Sequence, residues 1–247
     1  MNAELKPFWT RFFGFNWKFG LVLILAFCIP RFFLVLNANI TGSYGSIAGV
    51  MIISAIAPFL FLTKLGLKRA AITKPAGITW LPVAFLVGIL FSFALYFLGD
   101  FLYSDTYSNW YKYIGKSYNI PAEISLKDKN IYFVIFAFTG MIFSPFGEEL
   151  FFRGIVHSAF AKSVGELKAS IIDSTAFALT HISHFGLVFL MNQWKFLTIP
   201  AFIWVISMFL AGIIFFYFRK KCGSVWGAIV CHAGFNLGMT YCIFYLF

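Results

Sequence analysis

Residues 79–103 read TWLPVAFLVGILFSFALYFLGDFLY, a run whose single charge, Asp100, lies close to its end. A helix needs about 20 apolar residues to cross the hydrocarbon layer, so this run is long enough to span a bilayer. Working outward from it, six further windows have the same character, at 17–37, 45–63, 131–160, 169–190, 197–218 and 223–246. Seven spans, with an eighth helix allowed for, describe an all-α, polytopic transmembrane bundle. The composition agrees: 61% of the 247 residues are hydrophobic, 11% are charged, and the mean hydropathy is +0.86. With 35 Phe and 7 Trp, the chain has more apolar surface than one soluble core could bury. A soluble enzyme, a disordered chain and a disulfide scaffold are excluded.

The formal charge of +10 does not point to nucleic acid, because the basic residues are dispersed and no basic run exceeds Arg219-Lys220-Lys221. In a membrane protein such residues mark cytoplasmic loops. With the N-terminus inside, twelve Lys and Arg fall on inner segments and five (Lys112, Lys116, Lys127, Lys129 and Lys195) on outer ones. That asymmetry predicts an N-in, C-out, multi-pass integral membrane protein, sited in the cell membrane if the source is prokaryotic. The basic start followed by apolar residues from Phe19 has the look of a signal peptide. Pro30-Arg31 stands where a small-residue cleavage site belongs, so the segment is expected to remain as the first membrane helix. Ser144-Pro145 predicts a kink or break in the window 131–160, which could also re-enter instead of crossing. Residues 104–130 form the one sizeable polar stretch, an expected external loop. Cys28, Cys222, Cys231 and Cys242 lie in or beside apolar runs without CxxC spacing and read as buried thiols. The chain divides into membrane helices and external loop at 1–129 and a core at 130–246.

Ionisable groups inside a bilayer are costly and mark function by default. In the last four spans they gather in three clusters: Gly147-Glu148-Glu149-Leu150-Phe151-Phe152-Arg153-Gly154, Phe177-Ala178-Leu179-Thr180-His181, and His232-Ala233-Gly234-Phe235-Asn236. Counted from the expected cytoplasmic helix ends, Glu148 and His181 lie about 18 Å deep and His232 about 14 Å. One shared buried site is the economical reading.

Glu149 and Arg153 are spaced i, i+4 and can pair, which makes them supporting residues. Glu148 lies about 100° further around the helix, outside that pair, and is expected to be unpartnered, as suits a general base. His181 and His232 can exchange protons or bind a metal. Asn236, one turn beyond His232, can donate to an oxyanion. His184 shares a face with His181, either in the cavity or supporting it. His157 is expected at the interface, and Asp173 there or as a local hydrogen-bond partner. Cys231 and His232 are adjacent on a helix and do not face one another, so they form no thiol–imidazole dyad.

The three clusters resemble the signature of the CPBP family of intramembrane proteases, which includes CAAX prenyl protease 2 enzymes and bacteriocin-processing or immunity proteins. The family's E-E-x-x-x-R corresponds to Glu148, Glu149 and Arg153, its F-x-x-x-H to Phe177 and His181, and its H-x-x-x-N to His232 and Asn236. The resemblance covers about residues 130–246. It implies that Glu148 activates water with help from His181, that His232 and Asn236 stabilise the oxyanion, and that Glu149–Arg153 is structural. Members are often labelled metalloendopeptidases. Glu148, His181 and His232 could hold one zinc with an open water position, or the same groups could act without metal. The H-E-x-x-H helix of zincins is not in this sequence. The implied partners are a peptide or protein substrate, reaching the site from the cytoplasmic side or laterally, and the lipid bilayer. The competing readings are a non-catalytic peptide-binding or immunity protein of the same fold, and a proton- or ion-coupled transporter.

Overall fold

The computed structural model describes residues 4–121 and 123–247. Helix α1 (Trp17–Thr41) starts where the Asn16 side chain accepts from the backbone N–H groups of Lys18 and Phe19, and stops at Gly42 with φ 72°. It is followed by α2 (Gly45–Phe61), the short α3 (Lys64–Arg69), α4 (Trp80–Tyr103) and the short α5 (Trp110–Gly115). Helix α6 (Leu126–Glu149) begins at a Ser125 cap that accepts from Asp128 N–H. It continues through a π-helical stretch, Leu150–Val156, into α7 (His157–Val164). Then come α8 (Glu166–Thr180), a 3-10 turn at His181–Ser183, a hairpin of β1 (Leu187–Leu190) and β2 (Gln193–Phe196), α9 (Thr198–Cys222) and α10 (Trp226–Tyr245).

Five of these helical stretches are long and apolar enough to cross a membrane by length and composition, and α2 is a shorter apolar helix. Large apolar side chains such as Phe33, Ile53, Phe101 and Phe202 point outward. That is the surface expected of a bundle dissolved in lipid. The fold is an all-α polytopic bundle with one small hairpin.

Two expectations change. The window 169–190 is not one spanning helix: α8 has 15 residues, about 22 Å, and the traverse is completed by the 3-10 turn and the hairpin. Gly186, with φ 119°, and the left-handed pair Met191-Asn192 at the hairpin tip turn the chain there. Irregular backbone at membrane depth is tolerated where protein or a wet cavity surrounds it. The second change is at Ser144-Pro145, where α6 runs on unbroken; the irregularity falls one to two turns later, in the π stretch.

The ends of the bundle are distinct. At one, Lys162 donates to Glu4, Trp17 N–H to Ser163, and Ala76 N–H to Cys222 O. At the other, Tyr245 donates to Asn130, Tyr96 to Leu246 O, and Phe189 N–H to Tyr113. The first end carries the segments that the charge asymmetry assigns to the cytoplasm. Helix α10 packs against α4, α6 and α9. A Cβ on Gly88 would sit 2.0 Å from the Cys231 carbonyl oxygen, so only glycine lets α4 approach α10 this closely.

Candidate active site

Helices α6, α8 and α10 bring the three sequence clusters to one cavity of about 380 Å³. Glu148, Phe177, His181, His232 and Asn236 line it, together with Arg31, Ser144 and His184. Glu148 is 1% exposed. Its Oε1 accepts from Arg31 Nη2 at 2.7 Å and from Ser144 Oγ at 2.9 Å. Its Oε2 has no hydrogen-bond partner and lies 3.9 Å from His181 Nε2.

The histidine tautomers follow from their contacts. His181 Nδ1 lies 2.7 Å from the Phe177 carbonyl oxygen, which can only accept, so Nδ1 carries the proton and a neutral ring presents Nε2 as an acceptor. Trp204 Nε1 donates to the backbone carbonyl of His181 at 3.2 Å and steadies the turn. His232 Nδ1 is 2.8 Å from Glu149 Oε1 and donates to it, while the Phe215 ring stacks on the imidazole at 4.7 Å between centroids. Asn236 Nδ2 donates to Gly140 O at 2.9 Å, which uses one of its two N–H groups.

Behind the cavity lies a second buried network. Arg153 is 3.3 Å from Glu149 Oε1 and 3.6 Å from Asp173 Oδ1, with its guanidinium over the Phe177 ring at 4.4 Å. His157 joins Asp173 at 2.6 Å to Glu166 at 3.0 Å.

Glu148, expected to be unpartnered, is ion-paired with Arg31 of α1. The missed signal was a lone cation within the first apolar run, which the rule applied to the last four spans would have found. Glu149 does pair with Arg153, but it also holds His232. His157, expected at the interface, is fully buried between two carboxylates, and Asp173 is a buried partner rather than an interfacial group. His184 lines the cavity and touches Arg31 at 3.3 Å.

Around Glu148 the lining residues Phe136, Thr139, Gly140 and Phe143 of α6, Ile47 of α2 and Tyr44 just before it all lie toward the end that carries residues 104–130. Toward the other end Phe151, Phe152 and Arg153 are buried and do not line the cavity.

A zinc on Glu148, His181 and His232 does not fit this arrangement. Glu148 Oε2 and the Nε2 atoms of His181 and His232 have the donor chemistry for a metal, so the misfit is one of placement. Among the described residues no group of three or more His, Cys, Asp or Glu side chains is placed to hold a metal ion.

Residues 130–238 match the family described as Rce1-like, type II CAAX prenyl endopeptidase Rce1-like. Residues 130–238, somewhat less than half of the chain, are thus similar to CAAX-type proteases of that family. All seven residues of the three motifs fall inside the match, and Arg31 falls outside it. No curated protein and no solved structure matches the chain. The long apolar helices describe a multi-pass integral membrane protein, and the matched segment is similar to membrane-embedded CAAX-type proteases.

Proposed function

We propose that the chain is an endopeptidase in which Glu148 activates water against a peptide bond held in the cavity. The observation that carries this reading is the free oxygen of Glu148. Oε2 is buried, unpartnered and 3.9 Å from an imidazole nitrogen that is itself an acceptor. A water donating one hydrogen to Oε2 and the other to His181 Nε2 has its lone pairs left to aim at a carbonyl carbon. Glu148 takes a proton as the C–O bond forms. The negative charge passes to the carbonyl oxygen, where the remaining Asn236 N–H and His232 can donate. His232 does so through Nε2 only as an imidazolium, and the Glu149 carboxylate at 2.8 Å is the group that stabilises that form. Collapse of the adduct breaks the C–N bond, and Glu148 returns its proton to the departing amine.

The substrate class consistent with the family is a membrane-associated peptide, of CAAX type or a leader or membrane segment. Its route into the cavity is from the 104–130 end or between α2 and α6, both of which line the cavity. The reading is tested with Glu148→Gln as a trap: the variant is purified from cells, and retained peptides are identified by mass spectrometry and offered to the wild type. Retention of peptides that the wild type cleaves and the variant does not supports the proposal. Equal cleavage by both proteins overturns it, and retained peptides that neither protein cleaves favour a peptide-binding role instead.

A further inference from the structure

We propose that Arg31, on α1 and outside the matched segment, is the positioning residue of Glu148. The proposal rests on Glu148 being the base. Arg31 is 2% exposed, and a guanidinium at this depth is tolerable only beside a countercharge, which Glu148 supplies at 2.7 Å. Its fork also reaches Thr180 Oγ1 through Nη1 at 3.3 Å, and Nη2 lies 3.3 Å from His184 Nε2. One side chain thus ties α1 to the base on α6 and to the turn that carries His181.

The pairing is asymmetric. Arg31 and Ser144 both donate to Oε1 and neither to Oε2. Two donors on one oxygen fix the plane of the carboxyl group and leave the second oxygen facing His181. During the reaction the negative charge moves from Glu148 to the oxyanion in the same cavity, and the fixed cation stays close to it throughout. Lysine could provide the charge but not the planar fork that engages Thr180 and Glu148 together. What sets this pair apart from Glu149 and its partners is that the oxygen left free belongs to a side chain lining the cavity and lies 3.9 Å from His181 Nε2.

The test uses the full chain in detergent or nanodiscs, with Arg31→Met, Arg31→Lys, Glu148→Gln and the double variant Arg31→Met/Glu148→Gln. The probe is an internally quenched farnesylated peptide ending in a CAAX sequence. Per folded protein, kcat of Arg31→Met is expected to fall about 100-fold with KM within about twofold, and Arg31→Lys to recover about tenfold of that. In thermal melts the two single losses are expected not to add in the double variant, because neutralising Glu148 removes the penalty of leaving it unpaired. A wild-type kcat in Arg31→Met, or fully additive melting shifts, overturns the proposal. If the wild type leaves the probe uncut, the failure belongs to the choice of substrate or to the hydrolase reading. The melting cycle then still decides whether Arg31 holds Glu148.

Discussion

Glu148 and Glu149 are neighbours at the end of α6, and one residue's rotation of the helix, about 100°, sends them into different surroundings. Both carboxylates keep an unpartnered Oε2, but Glu148 borders the cavity, with that oxygen 3.9 Å from His181 Nε2, whereas Glu149 is fully buried against His232 and Arg153 and does not line the cavity. Each carboxylate has its own arginine, Arg31 for the first and Arg153 for the second. The same chemical group is left available for a reaction on one side and used to hold other groups in place on the other. His232 joins the two regions, with its Nδ1 on Glu149 and its ring at the cavity wall.

The contrast predicts opposite phenotypes. Glu149→Ala leaves a fully buried guanidinium short of one of its two acids and frees His232. Breaking such a pair costs about 3–5 kcal/mol, so the yield of monodisperse protein and its melting temperature should drop sharply. A normal yield would break the comparison. Next in size, His232→Ala and Asn236→Ala, at the cavity wall, should each lower turnover per folded protein by about 100-fold with yields near wild type. His157→Ala, in the sealed network, sharpens the distinction. It should cost about 1–3 kcal/mol of stability by leaving Asp173 Oδ2 without its partner, with turnover per folded protein preserved.

The smallest effect lies outside both regions, at the clasp of Glu4 with Arg69 and Lys162. Burial works to raise the Glu4 pKa, but the Lys162 hydrogen bond and the charges of Lys162 and Arg69 outweigh it and hold it below the ordinary 4.5. A lowered carboxylate pKa stabilises the fold above about pH 4.5, and that contribution is lost as the pH falls through the lowered value. Glu4→Gln should therefore cost about 1 kcal/mol or less near neutral pH and nothing well below the lowered value, as read from melts across pH.

Much of this arrangement can be read from the chain itself. Apolar windows located the five long helices because a bilayer imposes a length on them, and counting from the expected helix ends put Glu148, His181 and His232 at a similar depth. What could not be read was which side chains meet across helices. Arg31 is more than a hundred residues from Glu148, and no local periodicity links them. Only its position within an apolar run hints at a buried partner. The helical pattern of 169–190 concealed the turn and hairpin, because strands as short as β1 and β2 leave little periodic signal beside a helix. The tautomer of His181 likewise depends on the backbone of its own helix end, where the Phe177 carbonyl is within reach only once the helix has formed.

The most direct test of the account is the cleavage rate of Glu148→Gln relative to wild type, per folded protein, on a peptide recovered by trapping. Loss of a general base predicts a fall of about 1,000-fold or more in this rate, beyond the stability lost when Arg31 is left without its countercharge. A variant that cleaves at close to the wild-type rate would contradict the assignment of Glu148 as the group that activates water.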